Sequence, residues 1–197
     1  MRTSDARLQT AEVVLRHASG VRVTLLAMIH VAEPRYFDAI GRDLDRFDAV
    51  IHEGAAAPAT SGPGRDPATA AVPEGLVRQA RQLRFTGDRF VPADARPGEL
   101  ARLLTGQPTG ITTRSALAAA ACGIDADPLW RERADRAYAI RPRNAIALEA
   151  VGHRLARGDR SVALVYGAAH ARDLQERLQA LGFVVQSRAW RDAFRIE

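Results

Sequence analysis

The chain has 197 residues, 47% of them apolar and 26% charged, with a formal net charge of +5. This composition fits one soluble domain spanning 1–197. It excludes a membrane span, because no run nears the roughly 20 apolar residues that a span needs. The polar start MRTSDARLQTAE lacks the apolar stretch of a signal peptide. The lone cysteine, Cys122, rules out intrachain disulfides, zinc fingers and iron–sulfur clusters and points to a reducing, cytoplasmic setting. All 28 basic residues are Arg, scattered among 23 acidic ones, and aromatics make up only 6%. Dispersed charge with few stacking platforms does not describe a nucleic-acid partner.

Glu12 to His17 reads as a strand, Ala18-Ser19-Gly20 as a turn, and Val21 to Ile29 as a second strand, an N-terminal hairpin leading to His30. After Glu33-Pro34, the residues Phe37, Ile40, Leu44 and Phe47 repeat at helical spacing. Asp48 to His52 is a short apolar strand before Glu53 and Gly54. Strand, helix, strand in this order implies parallel pairing.

Residues 54–73 are small, Pro- and Gly-rich and aperiodic, the composition of a flexible loop. Residues 74–138 read as a mainly helical insert, with helices over Glu74–Leu83, Gly98–Leu104, Thr112–Ala121 and Leu129–Tyr138 and a very short strand at Phe90-Val91. Regular order returns with a helix over Arg143–Arg157, a buried strand over Ser161–Tyr166 and the turn Gly167-Ala168-Ala169-His170. A helix carrying Leu174, Leu178 and Leu181 then ends at Gly182 before a last strand, Phe183–Gln186. The fold class is therefore α/β, with a mixed, mostly parallel central sheet, flanking helices, an N-terminal hairpin and a helical middle insert.

Three polar residues follow three apolar strands: His30, Glu53 and His170. Ligands of open α/β sheets bind outside the carboxyl ends of the strands, so parallel neighbours bring these side chains to one rim. Two imidazoles and a carboxylate suit a divalent ion (Mn, Co or Zn) with positions left open for water. His170 begins a helix, whose positive end favours the neutral imidazole that binds metal. Asp94 is a candidate to orient a ligand, or a turn former. Arg141 and Arg143 are candidates for a substrate carboxylate, or ordinary surface arginines. His52 reads as structural, Glu149 and His153 as a helix-surface pair, and Cys122 as a small apolar residue.

The segments VTLLAMIHVAEPRYFDAI, DAVIHEG and VALVYGAAHARDLQERLQALGF resemble the TraB/PrgY/GumN family, grouped with TIKI-like metalloproteases and with ChaN-like and erythromycin-esterase-like proteins. The marks are a complete G-x-x-H at Gly167–His170, a Glu after an intervening strand at Glu53, the pair Arg143-Asn144 before a helix, and Asp94 in VPADARPGEL. The first motif departs, reading Ala27-Met28-Ile29-His30. The resemblance implies a metal-dependent hydrolase or peptidase acting on a peptide or small-molecule substrate. In it His30, Glu53 and His170 surround the metal and Arg143 and Asp94 serve the substrate. Glu53 is either a ligand or the general base. The alternative is a binding protein for haem, a peptide or a signal molecule, and a homo-oligomer is compatible with either.

Overall fold

The computed structural model describes residues 1–54, 72–95, 113–126, 128–129, 132, 135 and 139–196. A seven-stranded mixed sheet runs through it. The strands β1 (Arg2–Ser4) and β2 (Arg7–Arg16) meet across Asp5 and Ala6, both at positive φ, as a two-residue hairpin turn demands. The polar N-terminus thus already belongs to the sheet. The expected hairpin follows, β2 pairing antiparallel with β3 (Arg22–Met28).

A chain β3–β8–β5–β7 then runs parallel, formed with β8 (Ser161–Gly167), β5 (Ala49–His52) and β7 (Phe90–Pro92). Strand β9 (Val184–Arg195) closes the other side, antiparallel along β2. It is far longer than the four residues read from sequence, because its exposed, Arg-rich residues show no clean alternation.

Helices cover both faces. On one, α1 (Pro34–Leu44) and α3 (Arg114–Ala126) pack with Leu26, Met28, Val50 and Val165. On the other, α4 (Ile140–Ala156) and α5 (Ala171–Ala180) pack with Leu25, Ala27, Ile51 and Tyr166. Strands buried on both faces read as continuous apolar runs, which is why TLLAM, AVI and SVALVY stand out. Helix α1 starts on Pro34, whose missing N–H is no loss at a first helical position. Gly182 caps α5 at φ +88°.

The expected helix over Glu74–Leu83 is corrected. Gly75 turns at φ +71°, β6 (Val77–Arg78) pairs antiparallel with β4 (Val31–Ala32), and only α2 (Gln79–Gln82) is helical. Tertiary pairing overrode local propensity there. The Thr112–Ala121 helix is realised as α3. The Gly98–Leu104 helix, most of Leu129–Tyr138 and nearly all of the 54–73 loop lie outside the described residues. Among the described residues no helix is long and apolar enough to cross a membrane.

Asp48 aligns β5 with β8. Its Oδ2 accepts from the backbone N–H groups of Arg160 (2.9 Å) and Ser161 (2.8 Å), and its own N–H donates to the Ser161 carbonyl. Those hydrogen bonds hold its carboxyl below the usual value of 3.8. A lowered folded-state pKa adds stability above the unfolded value, and that stability is lost as pH falls through the folded one. Asp48→Ala is expected to cost roughly 1 kcal/mol, the net worth of a typical hydrogen bond, in urea unfolding at pH 7. The deficit should shrink as pH drops below about 3.8, and a pH-independent deficit would contradict the role of the charge.

Candidate active site

The parallel strands finish together. Register pairs Met28 with Gly167, Val165 with His52, and His52 with Pro92. The residues just beyond these ends are His30, His170, Glu53 and Asp94, so all four reach one edge of the sheet. The first turn of α4 brings Arg143 over the same edge.

Glu53 is the hub. Its Oε1 accepts from Arg143 Nη2 at 2.6 Å and its Oε2 from the Gly167 N–H at 2.7 Å. His30 Nε2 lies 3.6 Å from Oε2, and His170 Nε2 lies 3.8 Å from Oε1. Behind Glu53, Asp94 grips the same guanidinium in a fork, Nε to Oδ1 at 2.7 Å and Nη2 to Oδ2 at 2.8 Å. Asp94 also accepts the N–H groups of Gly54 and Ala95. Its side chain is only 1% exposed and holds Arg143 from behind. Arg143 itself is 4% exposed.

Each histidine has its tautomer set from behind. His170 Nδ1 donates to Asn144 Oδ1 at 2.6 Å, and Asn144 Nδ2 in turn donates to Asp173 at 2.8 Å. With that proton on Nδ1, Nε2 is an acceptor, and Arg143 Nη1 donates to it at 3.2 Å. His30 Nδ1 donates to Gln79 Oε1 at 2.8 Å, while the Gln79 N–H donates to the His30 carbonyl. His30 Nε2 therefore turns a lone pair toward Glu53, and its side chain is 59% exposed.

The charges follow from these contacts. Burial alone would raise the Glu53 pKa, but at the acid pH where it titrates the protonated histidines, together with Arg143 and the Gly167 N–H, hold it down at about 2. Burial pushes the His170 pKa down, reinforced by Arg143 against the opposing pull of Glu53. Burial would lower the Arg143 pKa, yet Asp94 and Glu53 raise it well above its usual value. At neutral pH the centre is thus a neutral buried imidazole, a permanent guanidinium and a permanent carboxylate, with His30 at the open side.

Gly167 makes the convergence possible. A Cβ there would stand 3.0 Å from Glu53 Oε2 and 3.1 Å from His30 Nε2. Ala27, where the first motif departs, sits inside β3 and is not at positive φ, so its methyl group carries no backbone strain.

The structure brings together His30, Glu53, His170, Asp94 and Arg143. It leaves Arg141 72% exposed and paired with Asp135, and Glu149 and His153 as a surface pair. His52 stacks on Phe85, and Cys122 packs against the apolar core. The sequence alone does not single out Gln79, Asp173 or Tyr166, whose hydroxyl donates to the Ala93 carbonyl beside Asp94, and it marks Asn144 only as the neighbour of Arg143. Gln79, Asn144 and Asp173 act across long sequence separations, where no local pattern marks them.

The donor set does not fit the expected three-ligand metal centre. His30 Nε2 and Glu53 Oε2 have a workable separation, but the His170 lone pair that ligation needs already accepts from Arg143. Among the described residues no group of three or more His, Cys, Asp or Glu is arranged to hold an ion. In comparisons with protein-family models, curated proteins and solved structures, nothing matches the chain.

Gly167→Ala is expected to lower stability by about 1–3 kcal/mol through overpacking and to move the His30 ring resonances. An unchanged melting temperature and unchanged His30 signals would refute the crowding. Gln79→Leu removes the Nδ1 acceptor. Nitrogen chemical shifts of His30 should then change from one tautomer to a mixture, and retention of a single tautomer would show that Gln79 does not set it.

Proposed function

We propose that this chain is a hydrolase of ester or amide bonds, with a water molecule activated between His30 and Glu53. The observation that carries the reading is the pair of acceptors facing each other 3.6 Å apart at the exposed rim, His30 Nε2 and Glu53 Oε2. Neither can donate to the other while His30 is neutral. A water between them satisfies both by donating one proton to each, leaving its oxygen lone pairs toward a substrate.

The step then balances simply. His30 Nε2 takes a proton as the water oxygen bonds to the substrate carbonyl carbon, and the carbonyl π electrons move to its oxygen. Glu53, charged throughout, stabilises the resulting imidazolium. The tetrahedral intermediate collapses, the carbon–heteroatom bond breaks, and the Nε2 proton passes to the leaving alcohol or amine. Gln79 keeps Nε2 as the basic nitrogen. Arg143 keeps Glu53 ionised, and His170, held by Asn144, fixes one edge of the guanidinium.

The residue pattern that resembles the TraB/PrgY/GumN family supports the hydrolase class of this reading though not its metal-free chemistry, and we include membership of that family in the proposal. A peptide or small-molecule substrate suits the open position of His30. A cytoplasmic location, read from the lone Cys122, belongs to the proposal as well.

His30→Ala and Glu53→Gln are each expected to lower kcat/KM by roughly 10²–10⁴-fold, the usual loss for a general base. The assay is a panel of nitrophenyl esters and short peptides. His30→Ala should leave the melting temperature within a few degrees, since the ring is mostly exposed. Full turnover in His30→Ala, or a wild-type chain inert across the panel, would reject the reading.

A further inference from the structure

We infer that Arg143 is the resident cation of this site, standing where a bound metal would otherwise bridge Glu53 and His170, and that the chain works without a metal ion. The catalytic half of this inference rests on the hydrolase reading above, whereas the binding half does not.

The geometry is specific. A metal shared by Glu53 and His170 needs the Glu53 Oε1 and His170 Nε2 lone pairs. One guanidinium takes the only lone pair of His170 Nε2, with Nη1 at 3.2 Å, and stands against Glu53 Oε1 with Nη2 at 2.6 Å, so it fills the space between the two side chains. That guanidinium is not a passing surface group. It is 4% exposed and locked from behind by both oxygens of Asp94. Asp94 is locked in turn by the Gly54 and Ala95 N–H groups, and Tyr166 pins the adjacent Ala93 carbonyl. Swinging Arg143 aside would leave Asp94 a buried carboxylate held by two N–H groups but with its guanidinium partner gone, a costly state.

Leaving Arg143 in place puts a divalent cation against a monovalent one. Arginine does not deprotonate in proteins, so this repulsion has no acid–base escape. The fork also does what a metal would do for Glu53, fixing its orientation and keeping it ionised.

The test is metal binding, measured by calorimetry and by metal analysis after dialysis, on the wild-type chain with Mn, Co and Zn ions separately. His30→Ala and His170→Ala are run beside it, with hydrolysis and melting followed before and after exhaustive chelation. The expected result is no stoichiometric ion that depends on either histidine. Melting and turnover should also stay the same within twofold after chelation.

One ion per chain at micromolar affinity, lost in either histidine variant, overturns the inference, as does turnover that needs an added ion. Turnover that needs an ion leaves the hydrolase reading standing. A chain that binds no ion and hydrolyses nothing keeps the resident cation and removes the hydrolase. Arg143→Gln gives a second arm. If folded, it should bind a divalent ion at least tenfold more tightly than the wild type, and folded protein with no such gain also counts against the inference. If it does not fold, the wild-type comparison decides alone.

Discussion

A guanidinium buried between two carboxylates is the constraint on which this sheet edge depends. Arg143 comes from α4, Glu53 from the end of β5 and Asp94 from just beyond β7. No one of these charges is tolerable alone in the interior, and removing one partner of such a set typically costs about 3–5 kcal/mol. The three together tie a helix on one face of the sheet to two neighbouring strand ends. The loop termini that carry Glu53 and Asp94 are thereby fixed in place, although loops ordinarily wander. What the ion pairs contribute is placement more than net stability.

Support is layered outward from that set. Gly167 supplies an N–H to Glu53 and, by lacking a side chain, the space for His30. Asn144 adjoins Arg143 on α4, so one helical turn delivers both the cation and the residue that orients His170. His30 is steadied differently. Its support comes from Gln79, the first residue of a four-residue helix, attached to the main sheet's rim by the small β4–β6 ladder. The buried imidazole is thus held from a 17-residue helix packed on the sheet and the exposed one from a four-residue helix.

Much of this was legible in the chain because buried parallel strands announce themselves as unbroken apolar runs. Polar residues placed directly after such runs, His30, Glu53 and His170, then project to a common edge. The role of Asp94 was harder to read. A single Asp after a short strand looks the same whether it turns the chain or clasps an arginine 49 positions away. Gln79 lay inside a stretch whose apolar spacing imitates a helix, and only pairing with Val31 and Ala32 reveals its place. Strand β9 escaped for the opposite reason. Its residues face solvent on so many positions that the alternating pattern of a half-buried strand is erased. Nor can the spacing of His30, Glu53 and His170 show that the Arg143 guanidinium stands against two of them.

The order of strands has a consequence for how the chain comes to be folded. β8, from residues 161–167, lies between β3 at 22–28 and β5 at 49–52, and β9 covers β2 only after that. During synthesis, the first 160 residues therefore present two unsatisfied strand edges separated by an empty lane. Contacts of such long sequence separation form slowly, and exposed edges invite pairing with other chains. Assembly of the centre must wait for residues 161–170, which bring its middle strand and His170 at one stroke. A ribosome-bound fragment ending before β8 would carry His30 and Glu53 without the strand that lies between β3 and β5, so the two side chains come together only once β8 is in place.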